Sequence, residues 1–370
     1  MKTIVNVNQF CDTLAIATRV ITSRITMPVL GCVLLKANAI AQRIHIIATN
    51  LDASISVSCP AEIDESGTTC VPGKRFQSIV SAIASEKVEI TMLKNTVVLS
   101  GCTSKFRIHS LSADEFPLPV AMGDKNEIKF SAADLRGRIK TVASAMSNEE
   151  TRYMLNGIYL HAVDESLRLI ATDGRRLHAN VSARETGISA GAIIPAFAVE
   201  RLLGMIGDDG DILVKLDEQK AYFSISRKDG DIEFITKVVE GNYPNWKQVL
   251  PKYSGKGSKV VATDFCSAVK RVALACSEKS QSVKITFGKT SISMRAESPE
   301  NGDAEETFEC VEASEMAGTF AVNPRFLIDA LTGMDAEQAT ILVDEKNPEV
   351  SPVMIVGESV KCVIMPVRLQ

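Results

Sequence analysis

The chain repeats one pattern three times. A helix-opening segment, Asn8-Gln9-Phe10-Cys11-Asp12-Thr13-Leu14, returns as Ser131-Ala132-Ala133-Asp134-Leu135 and again as Ala262-Thr263-Asp264-Phe265-Cys266. A proline followed by an apolar helical run appears at Val71-Pro72, Ile194-Pro195 and Asn323-Pro324, and each copy closes on Phe116-Pro117, Tyr243-Pro244 or Met365-Pro366. Equivalent prolines lie 122 to 129 residues apart, which is the period of a domain and far longer than the roughly 20–50 residues of a solenoid unit. A chain of 370 residues accommodates three such copies. Tripling a whole domain suits a ring or scaffold better than an enzyme with one site.

Each copy opens on a helix with a 3.6-residue apolar stripe: Phe10, Leu14, Ala17 and Ile21; Leu135, Ile139, Val142 and Met146; Phe265, Val269, Val272 and Cys276. Leu274 falls about 180° from Phe265 on that wheel, so it is an apolar residue on an exposed face. Between the helices the chain alternates as strands do, in Arg43–Ala48, Val88–Met92, Thr96–Leu99, Ile212–Leu216, Tyr222–Ile225 and Lys284–Phe287. The expected fold class is α+β: three repeated domains, each with two helices and about eight antiparallel strands. The expected boundaries are residues 1–122, 127–251 and 259–370, with polar linkers at 122–126 and 252–258.

The net charge is −4, yet it is unevenly spread. Six candidate helix windows (8–24, 73–84, 131–145, 195–206, 263–279 and 323–332) hold twelve basic and six acidic residues, so the rest of the chain is strongly acidic. Asp12, Asp134 and Asp264 are expected at or near helix starts, where a carboxylate complements the helix dipole. This leaves a basic helix surface suited to phosphates; ordinary solvated helix faces would give the same count.

Catalytic signatures are missing. The sequence has no Gly-x-Ser-x-Gly, no His-Glu-x-x-His and no Gly-x-Gly-x-x-Gly. Its nine cysteines are scattered without a Cys-x-x-Cys pair and its four histidines are dispersed, which points to reduced thiols in a cytoplasmic protein that needs no metal or cofactor. No apolar run reaches the roughly 18–20 residues needed to span a bilayer. The acids Asp303, Glu305 and Glu306 read as a solvated cluster. The C-terminal run Val363-Ile364-Met365-Pro366-Val367-Arg368 is unusually apolar for a terminus.

Several of these segments together resemble the bacterial sliding clamps, the β subunits of DNA polymerase III. They are Leu155-Asn156-Gly157, Ala171-Thr172-Asp173-Gly174-Arg175-Arg176-Leu177, Tyr243-Pro244 with Val249-Leu250-Pro251, and Met365-Pro366-Val367-Arg368-Leu369, with Met27-Pro28-Val29-Leu30 and Ala113-Asp114-Glu115-Phe116-Pro117 in the first copy. The likeness runs the length of the chain. It implies a non-catalytic processivity factor of DNA replication: a head-to-tail homodimer whose six domains close a ring around duplex DNA.

The resemblance also implies residues. The hole would be lined by Arg24, Lys74, Arg75, Arg136, Lys140, Arg152, Tyr153, Arg201, Lys270 and Arg271. A groove for short peptides of the polymerase alpha subunit, the clamp loader, other DNA polymerases and repair proteins would use Leu155, Thr172, Gly174, Arg175, Arg176, Leu177, Pro244, Val249, Asn323, Phe326, Val350, Pro352, Val363, Met365, Pro366, Val367 and Arg368. Within it Leu155, Leu177, Val249, Val363 and Met365 would form an apolar pocket rimmed by Arg175, Arg176 and Arg368. The dimer seam would set Lys74, Lys105 and Ile108 against Leu274, Ala275, Asp303, Glu305 and Glu306 of a partner. Arg175, Gln248, Ser280, Ala196-Phe197 and the final Gln370 depart from the family's pattern and bear on peptide preference and DNA contact. Two other readings remain open from the residues alone: a three-domain enzyme with a dispersed site, and a monomeric peptide-binding scaffold.

Overall fold

The computed structural model describes residues 1–22, 27–120, 122, 127–163, 166–182, 191–228, 230–253, 257–277, 281–312 and 316–368. Arg24, Ser280 and Gln370, with residues 123–126 and 254–256 of the two linkers, lie outside the described residues.

All six expected helices form: α1 (Val7–Ala17), α2 (Gly73–Ala82), α3 (Ala132–Ala143), α4 (Ala196–Met205), α5 (Ala262–Val272) and α6 (Pro324–Thr332). Their starts follow from capping. Asn6 accepts from the Gln9 amide at 3.2 Å, Ser131 from Asp134 at 3.2 Å and Asn323 from Arg325 at 2.9 Å. All three opening helices are shorter than the stripes suggest, and α3 stops at Ala143, before Met146. α1 tightens into a 3-10 turn over Thr18–Val20, where β-branched residues crowd, and α5 does so over Ala273–Ala275. Because α1 begins at Val7, Asp12 lies in mid-helix and does not serve the dipole; Asp134 and Asp264 do sit in first turns. The stripes face inward: Phe10, Leu14, Ala17, Phe265 and Val269 are fully buried.

Among the described residues 25 antiparallel strands form, nine in the first copy and eight in each of the others. The chain divides into two compact units, Met1–Arg136 with Glu200–Val238 and Gly137–Val199 with Val239–Gln370. Each unit holds an eight-stranded sheet to which two copies contribute. In the first, Ala53–Pro60 of copy one pairs with Ile232–Lys237 of copy two. In the second, Arg176–Ser182 of copy two pairs with Val360–Ile364 of copy three. The rule is the same both times: the third strand after a copy's opening helix takes the last strand of the next copy. The two strands to which the rule gives no partner within the chain are Ser104–His109 and Gly302–Glu309. They lie at the edges of a five-stranded and a four-stranded sheet.

The repeat extends to a turn. Thr49 and Thr172 each accept from an amide two residues on at 3.1 Å, while Asn50 and Asp173 each accept from two successive amides. Both turns need a left-handed residue. Gly174 fills one at φ +85, and Leu51 fills the other at φ +75 with its side chain exposed.

The nine cysteines form no disulfides. Cys102, in the turn between Thr96–Gly101 and Ser104–His109, is the exposed one. Cys70 is fully buried, and burial pushes its thiol up to about 12.

A leucine in the left-handed region costs roughly 1–2 kcal/mol, part of which glycine returns as unfolded-chain entropy. Leu51→Gly is therefore expected to raise stability by about 1 kcal/mol in urea unfolding. A loss of stability would mean that the Leu51 side chain contributes packing beyond its exposed position.

Candidate functional site

The second unit carries a cleft of about 490 Å³ lined by Ser144, Met146, Ser147, Asn148, Glu149, Asp173, Arg175, Arg176, Gln281, Asn323, Arg325, Phe326 and Asp329. Its shape depends on Arg176. That guanidinium is 8% exposed and reaches three elements at once. Nε donates to Asp173 at 3.1 Å, one terminal nitrogen to Asp329 of α6 at 2.5 Å, and the other to the Ser144 carbonyl beyond α3. Its carbon lies 4.4 Å from the centre of the Phe326 ring. Arg176 is thus part of the floor of the cleft and not of its rim, a correction to the expected arrangement. The turn holds it there: the Asp173 carboxylate takes the Arg175 and Arg176 amides, and the Thr172 hydroxyl donates to the Arg176 carbonyl at 2.6 Å.

His178, two residues on, is completely buried. Its Nδ1 donates to the Thr141 carbonyl at 3.0 Å. Burial pushes its pKa down to about 4, with the nearby Arg176 charge acting in the same direction.

The expected groove residues divide by depth. Leu177 and Val363 face each other across the paired strands and are buried with Ile170, Trp246 and Met354 in one apolar cluster. Leu155 is nearly as deep. Val249, Val350, Met365 and Val367 are exposed, as are Gly174, Arg175, Pro244 and Arg368, while Pro352 and Pro366 are half-buried. The tail is tied in by its backbone, from the Met365 amide to the Arg175 carbonyl at 2.9 Å and from the Val367 amide to the Ala321 carbonyl at 2.7 Å. Arg175, Arg176, Asn323 and Phe326 therefore share the cleft, with Met365 bonded to its lip.

The candidate phosphate contacts also divide. Lys74, Arg75, Lys140 and Lys270 are exposed and carry no ion pair among the described residues. Arg136 pairs with Asp208, Arg152 with Glu149 and Arg201 with Glu200; Tyr153 is exposed. Arg271 forms a two-point pair with Glu306, at 3.0 and 2.5 Å, so those two residues are engaged with each other. That pair holds Glu306 below the usual carboxylate range. Beside it Leu274 is 80% exposed, whereas Ala275 is buried. On the edge strands Lys105, Arg107, Asp303 and Glu305 point to solvent and Ile108 is buried.

Three sequence models of one family match successive parts of the chain: the N-terminal domain of the DNA polymerase III beta subunit over residues 1–120, the central domain over 129–245 and the C-terminal domain over 247–368. The beta sliding clamp of Caulobacter vibrioides is 30% identical over 362 residues, 95% of each chain. This chain belongs to the bacterial β sliding clamp family. The Synechococcus elongatus clamp is 25% identical over the full length of both chains. The sliding clamp of Bartonella birtlesii, solved with bound griselimycin, covers both chains completely at TM-score 0.90 and 28% identity. The Bacillus subtilis clamp shares the fold at TM-score 0.91 and 21% identity. The function class follows from the family: a sliding clamp of DNA replication with the three-domain clamp fold. No helix among the described residues is long and apolar enough to cross a membrane.

In this clamp the cleft also uses Ser144, Met146, Ser147, Asn148, Glu149, Asp173, Gln281, Arg325 and Asp329, which the sequence reading did not assign to it. Nothing in the sequence links residues 144–149 to 323–329.

His178 makes stability depend on pH with a definite sign. Its folded pKa lies below the unfolded value near 6.5, so its contribution is complete above that value. It is lost as pH falls toward about 4, on the order of 3 kcal/mol in all. Urea unfolding at pH 7.0 and at pH 4.5 measures the loss, and a His178→Gln variant should show a flatter profile. Equal slopes in the two proteins would remove His178 as the source.

Proposed function

We propose that two copies of this chain close head to tail into a ring around duplex DNA and tether the replicative polymerase to it, by binding alone. The carrying observation is the strand-pairing rule. It leaves the last strand of copy one and the third strand after the opening helix of copy three with open edges in every chain. Two chains satisfy the rule by joining Gly302–Glu309 of one to Ser104–His109 of the other. Hairpin register makes Asp303 and Glu305 equivalent to Ser54 and Ser56, and Arg107 and Lys105 equivalent to Ile235 and Glu233. The within-chain pairs Ser54–Ile235 and Ser56–Glu233 then become Asp303 opposite Arg107 and Glu305 opposite Lys105. Directly opposed unlike charges favour that register, and exposed Leu274 supplies apolar surface beside it. Lys74 and Ile108 lie on the basic side, and Ala275 and Glu306 on the acidic side.

The three domains are residues 1–122, 127–251 and 259–370, and the protein is cytoplasmic. Arg24, Lys74, Arg75, Lys140 and Lys270 face the DNA with Arg136, Arg152, Tyr153, Arg201 and Arg271, through phosphate contacts that carry no sequence information. Such contacts must be weak for the ring to slide. The cleft and the neighbouring apolar residues of the second unit take short peptides of the polymerase alpha subunit, the clamp loader, other polymerases and repair proteins. The partner-dependent action needs no metal or cofactor and has no catalytic step.

Sedimentation tests the seam. A Lys105→Glu/Arg107→Glu variant should run as a monomer and be lost from circular DNA. Adding Asp303→Lys and Glu305→Lys to the same chain should restore the dimer. A dimer unaffected by the first pair would reject this register. Separately, Lys140→Ala with Lys270→Ala should shorten retention on circular DNA equally for any base sequence, and unchanged retention would remove those residues from the lining.

A further inference from the structure

We propose that Arg19 is a phosphate contact particular to this chain, seated against α4 in the space that Gly204 leaves by having no side chain. It rests on the ring-around-DNA reading above and adds a residue that neither the motifs nor the resemblance assigned. Two neighbouring helices are short of positive charge. α2, α3 and α5 each carry at least two basic residues, but α1 has none and α4 has Arg201 alone. Arg201 is already committed, one terminal nitrogen to Glu200 at 3.4 Å and Nε to the Arg19 carbonyl at 2.8 Å. Ala196-Phe197 opens α4 without a base. Arg19, in the 3-10 turn that follows α1, is exposed and carries no ion pair among the described residues. Where the end of α1 meets α4, its charge is the uncommitted one.

Gly204 makes the seat. A Cβ there would overlap a terminal nitrogen of Arg19 and stand 3.1 Å from the guanidinium carbon. Gly204 has no positive φ, so its own backbone does not call for glycine. The equivalent place in the second unit shows what differs. By the repeat, Ser144 stands where Arg19 stands and Gly333 where Gly204 stands. A Cβ on Gly333 would stand 3.0 Å from the Thr141 carbonyl oxygen, so there the backbone of α3 fills the space. The Ser144 carbonyl accepts from Arg176 as the Arg19 carbonyl accepts from Arg201. Both junctions thus keep the glycine and the guanidinium-to-carbonyl tie, and the first alone adds a cation. Val20 and Ile21 are buried just beyond Arg19, so its backbone is fixed on both sides of the side chain. A guanidinium held in this way has less freedom to lose on meeting a phosphate, and its planar fork suits phosphate oxygens.

The test is salt-dependent binding of a short labelled duplex to the full-length protein, read by fluorescence anisotropy. Sedimentation and urea unfolding serve as controls for assembly and folding. Arg19→Gln should bind about fivefold more weakly at low salt for every base sequence, with a shallower dependence on salt. Gly204→Ala keeps Arg19 but fills its seat. Alanine favours a helix over glycine, so this variant should unfold at no lower urea, yet bind about threefold more weakly. The double variant should match Arg19→Gln alone, because the two changes act on one contact. Unchanged affinity and salt dependence in Arg19→Gln would overturn Arg19 as a contact and leave the ring standing. Losses that multiply in the double variant would overturn Gly204 as its seat. No salt-dependent binding by the unaltered dimer would instead overturn the DNA reading beneath the proposal.

Discussion

Backbone amides and carbonyls along a sheet edge need partners, and this chain meets the need by lending strands between copies. Ala53–Pro60 would be an edge without Ile232–Lys237, and Arg176–Ser182 would be one without Val360–Ile364. Each borrowed strand brings its own copy's core against the next, which is why contacts group the three sequence copies into two units. The cleft is a by-product of the second loan. Pairing Arg176 with Ile364 sets the start of one strand beside the end of the other, and the tail then leaves along the Arg175 carbonyl.

The equivalent place in the first unit is built the same way but chemically closed. Asp52 stands where Arg175 stands, and Lys237 stands where Met365 stands; their side chains pair at 3.1 Å, and the Lys237 amide bonds the Asp52 carbonyl at 2.8 Å. One backbone plan thus yields an occupied position and an open one, decided by two side chains. In the open copy, the buried Arg176 takes over the neutralising work and keeps α6 and the segment after α3 at a fixed spacing. Removing one member of such a network leaves charge without a partner in a poorly solvated place, which is far costlier than losing a surface pair.

Much of the fold was legible because its signals are local. Periodic stripes such as Phe10-Leu14-Ala17, alternating runs such as Ile212–Leu216, and recurring prolines each report on a few neighbouring residues. Helix ends were less legible: the stripe of copy one continues to Ile21, while the helix yields to a 3-10 turn at Thr18. The turn Thr172-Asp173-Gly174 was legible as a motif, although of its three residues only Asp173 lines the cleft. The depth of Arg176 was not, because an arginine in a turn reads as exposed until Asp329, 153 residues away, is brought to it. The engagement of Arg271 with Glu306 was hidden for the same reason. Lys105 and Glu305 were singled out by resemblance; the register that opposes them needed the observed hairpins.

The turn at Cys102 gives the molecule a chemical handle. Maleimides and similar reagents need an accessible thiolate, and burial denies them one at Cys70 and Cys362, whose thiols it pushes up. Cys102 is exposed and lies two residues before the edge strand Ser104–His109. A fluorophore attached there would ride at the root of that strand without replacing any residue. Its brightness and rotational freedom would change whenever another strand docked on or left the edge, so the native sequence already contains the attachment point for watching that edge in real time.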